Sequence, residues 1–396
     1  MTDNRSQSGK KGARKNIFFL GLVSFFNDFS SEMIYPLLPL FLTSVLGAGA
    51  AALGIIEGLA ESTASVLKFF SGFFSDKYKR RKPIFAAGYT LSNIVRPLIG
   101  IASSWLHVLL LRFSDRVGKG IRTSPRDALL ADSAGEKNRG FAFGFQRALD
   151  HAGAILGPLA AIILLPLLKN DLRYLFLLSA IPGVIVLFIV YFAVKEVRPK
   201  KSPDRLTLGQ GLKGVDRNFR YYLIVILIFT LGNSSDAFLL LKAQDAGITM
   251  LQIPLLWIVL HIVKAVTSAP GGLLSDKVGR KAVIISGWVF YGVIYIAFAF
   301  TTGTSEIWFL FAIYGIYFGL TEGTEKAMVA DMVKEDKMGT AYGLFNLTVG
   351  LAALPASLIF GLIWQYVGSQ YAFIMGAGLA LISSVMLFGV KIKRQG

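Results

Sequence analysis

The sequence predicts an all-α polytopic membrane protein in which twelve transmembrane helices form two pseudo-symmetric bundles of six. Hydrophobic residues make up 54% of the 396 residues and charged residues only 16%, whereas a soluble domain usually carries about 25% charge. Apolar runs of the roughly 20 residues that cross a bilayer recur about twelve times along the chain. A polar stretch lies midway, and short motifs on its two sides repeat.

The expected spans follow one another with short connections, and the lengths of the hydrophobic runs set their bounds. The polar segment 195–219, which contains Pro and Gly, is predicted to be a cytoplasmic linker. Residues 1–194 are therefore predicted to form an N-terminal six-helix bundle and residues 220–396 a C-terminal one. The predicted spans are 17–45, 50–73, 84–103, 105–128, 140–166, 173–194, 220–241, 250–273, 282–301, 306–328, 340–365 and 369–390.

An internal duplication supports this division into halves. Each repeated motif returns about 200 residues later, between the corresponding pair of spans. The repeated pairs are "GFFSDKYKRRK" (72–82) with "GLLSDKVGRKA" (272–282), "ADSAGEKNRGFAFG" (131–144) with "ADMVKEDKMGTAYG" (330–343) and, more weakly, "NDFSSE" (27–32) with "NSSD" (233–236).

The net charge is +17, and Lys and Arg are concentrated in alternate loops and at both ends. This positive-inside pattern predicts a prokaryotic inner (cell) membrane protein with both termini in the cytoplasm, and it disfavours nucleic acid as a partner. The chain has no Cys, and its three His residues lack the spacing of metal ligands. We therefore predict no metal and no cofactor. The sequence contains no nucleotide-binding loop or nucleophile elbow, so we predict no enzyme, and we expect a monomer.

The loops after the second and eighth spans resemble the signature loop of the major facilitator superfamily, "G-x-x-x-D-[KR]-x-G-[KR]-[KR]". In the first copy Lys79 replaces the usual Gly, and the second copy matches more fully. The resemblance extends to length, span count, topology and duplication. It implies a secondary transporter that works by alternating access, with these loops latching the cytoplasmic side. The predicted latch residues are Asp76, Arg80, Asp276 and Arg280, although the basic residues of the loops can instead serve only to fix topology.

The fifth predicted span contains "GAILGPLAA" (153–161). This stretch resembles part of the "GxxxGPxxGG" element of the drug/proton antiporter branches of that family. The resemblance implies export in exchange for protons. Close helix packing through small residues is an equally good explanation of the same stretch.

The fourth predicted span carries an unusual stripe of charge. On a helix of 100° per residue, Arg112, Asp115, Arg116 and Arg126 fall within about 140° of one another. Charge that faces lipid costs several kcal/mol, so the stripe is expected to face a cavity or partner charges. We predict that Arg112, Asp115 and Arg116 line a substrate cavity with Asn27. An end of the helix near Thr123–Pro125, which would put Arg126 at the cytoplasmic edge, is the alternative to the predicted span 105–128.

The repeat suggests a gate on the cytoplasmic side. The offset of the duplication aligns Arg126 with Glu325 and Thr123 with Glu322. We predict that Arg126 pairs with these two carboxylates across the halves in one conformation only. Static pairing within each half, such as Arg126 with Asp127 or Glu325 with Lys326, is the alternative.

Acidic residues within spans mark ion pathways. We predict that Asp28, Glu32 and Glu61 carry the coupling proton. Sodium coupling through the oxygens of residues 27, 30 and 31 is an alternative, and each acid can instead neutralise a neighbouring cation, as Asp150 is expected to do with Arg147.

The predicted substrate is a small amphiphilic organic molecule. The Arg-rich side of the N-terminal half favours an anionic or zwitterionic group. Tyr314 and Tyr317, with other aromatic residues of the C-terminal half, can supply an apolar wall. We therefore predict proton-coupled export of amphiphilic organic compounds. Uptake of an organic anion by symport is the alternative, and a transporter-like sensor is less well supported because the linker and tails are short.

Overall fold

The computed structural model describes residues 2–78, 80–134, 139–197, 216–333 and 338–391. These residues form helices and connecting turns, with no β-strand among them. The principal helices in chain order are α1 (Thr2–Glu32), α2 (Ala50–Tyr78), α3 (Lys82–Val95), α4 (Trp105–Ala134), α5 (Arg139–Leu167), α6 (Leu172–Leu178), α7 (Ala180–Phe188), α8 (Arg217–Gly232), α9 (Ala237–Asp245), α10 (Gln252–Val278), α11 (Arg280–Phe300), α12 (Thr304–Met332), α13 (Met338–Tyr366) and α14 (Ser369–Leu387).

Eleven helical segments within the described residues are long and apolar enough to cross a membrane, by length and composition. In two of them, a pair of consecutive helices (α6 with α7, and α8 with α9) makes up one segment. The twelfth expected span is α4, which has the necessary length but carries the charged stripe. The prediction of an all-helical chain with twelve spans is confirmed.

The chain divides into two compact units. Unit 1 comprises Met1–Leu37 and Val66–Asp204, and unit 2 comprises Leu38–Ser65 and Arg205–Gly396. Helix α2 therefore contributes its first half to unit 2 and its second half to unit 1. The division into bundles at 1–194 and 220–396 stays a prediction.

Unit 1 is held together by close approaches at glycine. A Cβ built on Gly157 of α5 would lie 2.6 Å from the carbonyl oxygen of Phe29 in α1, so the two backbones are in contact there. A Cβ on Gly88 of α3 would lie 2.6 Å from the carbonyl oxygen of Gly118 in α4. The "GAILGPLAA" stretch thus has a packing role, as one of the two explanations of it requires.

Unit 2 has an aromatic core and similar glycine contacts. Trp288, Tyr291 and Tyr295 of α11 are fully buried. A Cβ on Gly361 of α13 would lie 2.6 Å from the carbonyl oxygen of Ala50. The first half of α2 is therefore packed directly on α13 within this unit.

Helix α4 continues past Thr123–Pro125, the alternative end considered from the sequence, and reaches Ala134. Proline removes one backbone donor and so leaves a carbonyl without its helical partner. In the preceding turn the hydroxyl of Thr123 donates to the carbonyl of Lys119 at 2.6 Å, and that of Ser71 donates to the carbonyl of Gly120 at 2.8 Å. These bonds support the turn just before the carbonyl of Ile121, which is the one that Pro125 leaves without its helical donor. Membrane helices tolerate proline when neighbouring groups support the backbone in this way.

The first and seventh spans, expected to be continuous, are broken. Helix α1 ends at Glu32, and short 3₁₀ and π turns follow as far as Val45. Helix α8 ends at Gly232, and α9 begins only at Ala237. Asn, Ser and Asp occupy the second break, and their side chains compete with helical hydrogen bonds.

Candidate functional site

The centre of the charged stripe in unit 1 is a buried cluster around Asp115. Arg112 and Asp115, both predicted to line the cavity, are 5% and 3% exposed. The Oδ1 atom of Asp115 lies 3.1 Å from Nη2 of Arg96, and its Oδ2 atom lies 3.7 Å from Nη1 of Arg112. One carboxylate therefore serves two guanidinium groups.

The packing of α3 on α4 fixes this cluster. Ser92 of α3 donates a 2.9 Å hydrogen bond to the carbonyl of Asp115, close to the Gly88–Gly118 contact. Arg96, just after α3, also donates to the backbone carbonyl of Asn27 at 3.1 Å and to its Oδ1 atom at 3.4 Å. Arg96 thus joins α1, α3 and α4. The only sequence signal for it was a single Arg in an apolar run.

The remaining arginines of the stripe lie against aromatic rings or have open hydrogen-bonding positions. The Cζ atom of Arg112 lies 5.0 Å from the ring centroid of Tyr35, and that of Arg122 lies 4.5 Å from that of Tyr89. Such contacts are favourable cation–π interactions. Arg116 is half-buried, and its Nε atom has no hydrogen-bond partner within the described residues.

Next along α4, Arg126 is paired within its own unit. Its Nη2 and Nε atoms lie 2.9 Å from Oδ1 of Asp127, and its Nη1 atom lies 3.4 Å from Oγ of Ser24. Asp127 is 42% exposed. This is one of the static pairs considered from the sequence.

Asp150 on α5 is not in the expected pair. It is 8% exposed and accepts a 2.5 Å hydrogen bond from Nε2 of Gln146. Arg147 is exposed, and no ion pair joins it to Asp150 in the part of the chain that the structure describes. The expectation of an Arg147–Asp150 pair was wrong: Asp150 is bonded to Gln146, and the side chain of Arg147 is exposed.

The three predicted proton carriers lie in different surroundings. Asp28 is half-buried and accepts a 2.9 Å hydrogen bond from Nδ2 of Asn27. Glu32 is half-buried, and Oγ of Ser31 lies 3.4 Å from its Oε1 atom. Glu61 is exposed. The structure thus brings Asn27 and Asp28 to the Arg96–Asp115 cluster of unit 1, whereas Glu61 belongs to unit 2.

A second charged cluster lies at the helix break of unit 2. The hydroxyl of Tyr314 donates to Oδ1 of Asp236 at 2.9 Å. The Nζ atom of Lys264 lies 3.4 Å from Oδ2 of the same carboxylate and 3.3 Å from the ring centroid of Phe318. Nδ2 of Asn233, also in the break, lies 3.4 Å from the hydroxyl of Tyr317.

Tyr314 and Tyr317 belong to the aromatic core of unit 2. Their ring centroids are 5.6 Å apart, and both contact Tyr291, which stacks on Tyr295 at 4.1 Å. Both residues are nearly fully buried. Their predicted role as the wall of a substrate cavity stays a prediction.

The two glutamates predicted to form the gate have partners within unit 2. Oε1 of Glu325 accepts a 2.8 Å hydrogen bond from Nε1 of Trp288, and Oε1 of Glu322 lies 3.3 Å from Nζ of Lys326. Glu322 and Lys326 are exposed, whereas Glu325 is half-buried. The pairing of these glutamates with Arg126 across the halves stays a prediction.

The second signature loop forms its own ion pairs. Nη1 of Arg280 lies 2.5 Å from Oδ1 of Asp276, and Nε lies 3.4 Å from Oδ2 of Asp331. In the first loop, Arg80 is exposed, and the side chain of Asp76 lies outside the described residues.

Arg81, which the sequence did not single out as a functional residue, is the better-connected cation of the first loop. It forms a salt bridge with Asp132, and its backbone N–H donates to Glu196 at 3.1 Å. Glu196 also accepts a hydrogen bond from the backbone N–H of Lys82 at 2.9 Å, so it satisfies two donors at the start of α3.

The comparisons with known proteins agree with this architecture. A sequence model of the Major Facilitator Superfamily (MFS) matches residues 20–323 and 222–395. An MFS-type transporter of Methanocaldococcus jannaschii is 40% identical over 379 residues, which cover 94% of this chain and 94% of the relative.

A proton-coupled antiporter flippase, LtaA, of Staphylococcus saprophyticus is 22% identical over 96% of this chain and 94% of its own. The crystal structure of the nucleoside transporter NupG superposes with a TM-score of 0.78 at 14% identity, covering 95% of this chain and 99% of that one. The fold of two six-helix bundles is confirmed. The chain belongs to the major facilitator superfamily and is a multi-pass membrane transporter, not an enzyme.

Proposed function

We propose that this transporter exports amphiphilic organic compounds in exchange for protons, by alternating access. Unit 1 supplies buried carboxylates and guanidinium groups, and unit 2 supplies an aromatic core with one Lys–Asp pair. Charged residues inside membrane spans mark substrate and proton pathways in transporters. The relative LtaA is named as a proton-coupled antiporter, and the "GAILGPLAA" stretch resembles an element of antiporter branches.

The observation that carries proton coupling is the environment of Asp150. Its Oδ1 atom is buried and has no hydrogen-bond partner within the described residues. The charges of Asp28, Arg126 and Arg147 interact electrostatically with the Asp150 carboxylate. A buried carboxyl group beside a second carboxyl can hold a proton in one state and release it when access changes. We therefore add Asp150 to the predicted carriers Asp28, Glu32 and Glu61.

Symport of an organic anion is the second candidate, and the Arg96–Asp115 cluster favours it. Protonation of Asp28 would remove a negative charge near Arg122, on which Asp28 acts. An anion would then bind more tightly, and the anion would in turn favour the proton, because coupling between two ligands is reciprocal. Ligands that favour each other's binding tend to move together.

The deciding experiment uses proteoliposomes that contain a trapped pH dye. Candidate compounds are added outside in the absence of a pH gradient. Antiport raises the internal pH as the compound enters, whereas symport lowers it. We expect a rise that Asp150→Asn abolishes and that Asp216→Asn, a change at an exposed carboxylate before α8, leaves intact. Proton movement that persists in Asp150→Asn would contradict the assignment of Asp150.

We also propose that both termini and segment 195–219 face the cytoplasm of a prokaryotic cell, and that the protein is a monomer. The chain contains no cysteine, so a single introduced Cys in each of these segments can be labelled without background. Labelling by a membrane-impermeant maleimide only after cell lysis is the expected result. Labelling in intact cells would place the segment outside the cell. The monomer is tested separately by light scattering of the purified protein, and the mass of a dimer would contradict it.

A further inference from the structure

We infer that the arginine cluster of unit 1 is a binding site for a tetrahedral oxyanion, such as the phosphate or phosphonate group of an organic solute. The inference rests on the proposed transport function only in taking this group to belong to the transported compound. The residues that form the site are Tyr89, Arg96, Arg112, Arg116 and Arg122.

The first argument is the charge of the cluster. Four guanidinium groups lie close enough to Asp115 to act electrostatically on its carboxylate. They belong to Arg96, Arg112, Arg116 and Arg122. Among the described residues of α1, Asp28 acts electrostatically on Arg122, and Glu32 lies one helical turn after Asp28. Even with all three carboxyl groups ionised, one positive charge remains in excess.

The excess of positive charge remains when the neighbouring charged residues are also counted. Adding Lys119 and Arg126 with the carboxylates of Asp127 and Asp150 still leaves one positive charge, and any proton on Asp28 or Asp150 raises it. Buried charge without a counter-charge is strongly unfavourable. An anion from outside the chain would supply the missing charge.

The second argument is the set of open donors. Nη1 of Arg122, Nε of Arg116, Nε of Arg96 and the hydroxyl of Tyr89 are buried and have no hydrogen-bond partner within the described residues. Arg122, Arg96 and Tyr89 are 6%, 3% and 0% exposed. Buried polar groups in folded proteins are nearly always hydrogen-bonded, so four such donors in one cluster point to an absent acceptor.

The number and origin of the donors indicate the shape of that acceptor. A carboxylate presents two oxygens in one plane, and Asp115 shows that these two oxygens serve two guanidinium groups. Here the donors belong to four side chains on two elements, α3 with the residue that follows it and the middle of α4. A tetrahedral group presents at least three oxygens in different directions and carries up to two charges. It matches both the donor set and the excess charge.

The site is also rigid, as tight anion binding requires. Backbone contact between Gly88 and Gly118 holds α3 on α4, and a Cβ on Gly88 would lie 2.8 Å from Cβ of Arg122. Asp115 holds the guanidinium groups of Arg96 and Arg112. The guanidinium groups of Arg96 and Arg112 are therefore in place before any anion arrives.

The test measures the melting temperature of the purified full-length protein in nanodiscs of phosphatidylcholine. Inorganic phosphate, sulfate, chloride and acetate are titrated at constant ionic strength. We expect saturable stabilisation by phosphate, weaker stabilisation by sulfate, and little effect of chloride or acetate beyond that of ionic strength. Equal effects of acetate and phosphate would overturn the tetrahedral assignment, and the absence of any anion effect would overturn the site.

Three variants locate the effect. Arg122→Gln should weaken the apparent affinity for phosphate by more than tenfold, and Tyr89→Phe, which removes one hydroxyl, by about tenfold, as expected for a hydrogen bond to a charged group. Arg147→Gln removes an exposed cation of the same unit and should leave the affinity unchanged. If Arg147→Gln and Arg122→Gln weakened phosphate binding equally, the effect would be one of overall charge, and the site would be rejected.

Two further arms identify the source of the group. Stabilisation by a soluble alkyl phosphate in phosphatidylcholine nanodiscs would identify a free solute. Stabilisation seen only when phosphatidic acid is in the nanodisc would identify a lipid headgroup. Both outcomes support the site. Proton movement with phosphate-free compounds, together with no response to phosphate, would refute the inference and leave the proposed function intact. Stabilisation by phosphate without any proton movement would refute the proposed function and leave the anion site intact.

Discussion

Replacement of Asp115 by Asn should destabilise unit 1 more than any other single loss of a carboxylate on α4. The carboxylate is 3% exposed and lies 3.1 Å from Arg96 and 3.7 Å from Arg112. At an effective dielectric constant of about 20, a pair 3.1 Å apart gains about 5 kcal/mol. Removal of one partner of a buried pair typically costs about 3–5 kcal/mol, because it leaves an uncompensated charge. Since Asn keeps Oδ1 as an acceptor, we expect about 3 kcal/mol.

Asp127→Asn is the matched control, because it makes the same chemical change on the same helix. Asp127 is 42% exposed and pairs with Arg126, and exposed pairs contribute less than about 1 kcal/mol. Titration with SDS in mixed micelles gives the free energy of unfolding for each variant. The double variant Asp115→Asn with Arg112→Gln should lose less than the sum of the two single changes, because it also removes one of the cations left in excess. Equal effects of Asp115→Asn and Asp127→Asn would refute this account of the cluster.

Three further predictions concern packing, a half-buried carboxylate and the gate. Gly157→Ala should destabilise by about 1–3 kcal/mol, because the new Cβ would meet the carbonyl of Phe29 at 2.6 Å, whereas Gly144→Ala on the same helix meets nothing within 4 Å; thermal unfolding compares them, and equal losses would contradict backbone contact. Trp288→Phe removes the donor to Glu325 and should cost about 1.5–3 kcal/mol by SDS titration, whereas Trp308→Phe, at a half-buried tryptophan of α12, should cost less. Cysteines at positions 126 and 325 should crosslink in one transport state only, and equal crosslinking with and without substrate would reject the gate.

The number and order of spans were predictable because run length is a property of the sequence alone. Crossing a bilayer requires about 20 apolar residues whatever the neighbours are. The stripe on α4 was equally accessible, since helical periodicity places Arg112 and Asp115 on one side of any helix they share. Both residues are buried in one cluster.

Contacts that depend on distant residues were not predictable. The Trp288–Glu325 hydrogen bond joins residues 37 positions apart, and no periodicity relates them. The hydroxyl of Ser71 on α2 donates to the carbonyl of Gly120, in the turn of α4 before Pro125. Asp150 accepts a hydrogen bond from Gln146 and, within the described residues, forms no ion pair with Arg147. In each case a tertiary or neighbouring contact overrides a correct local rule.

The weak repeat between "NDFSSE" and "NSSD" acquires a physical meaning from the two helix breaks. The first motif forms the last six residues of α1, directly before its break, and the second lies in the break between α8 and α9. Polar side chains at such breaks can satisfy backbone groups that would otherwise be unpaired inside a membrane. The duplicated feature is therefore the interruption of the helix.

The charges around the two breaks differ. Near Asp28 the neighbouring helices bring arginines in excess of acids, whereas at Asp236 they bring one lysine and several tyrosines. The substrate proposed above has an anionic end and an apolar body, and each set by itself offers groups that suit one of these two parts. If the duplication preserved the break and the charges diverged, Lys264→Met should alter preference for the apolar part of a substrate, while Arg122→Gln should alter preference for its anionic part. Competition assays with one homologous series of alkyl phosphates, varied in chain length and in headgroup charge, would separate the two effects, and identical shifts in both variants would contradict a division of labour between them.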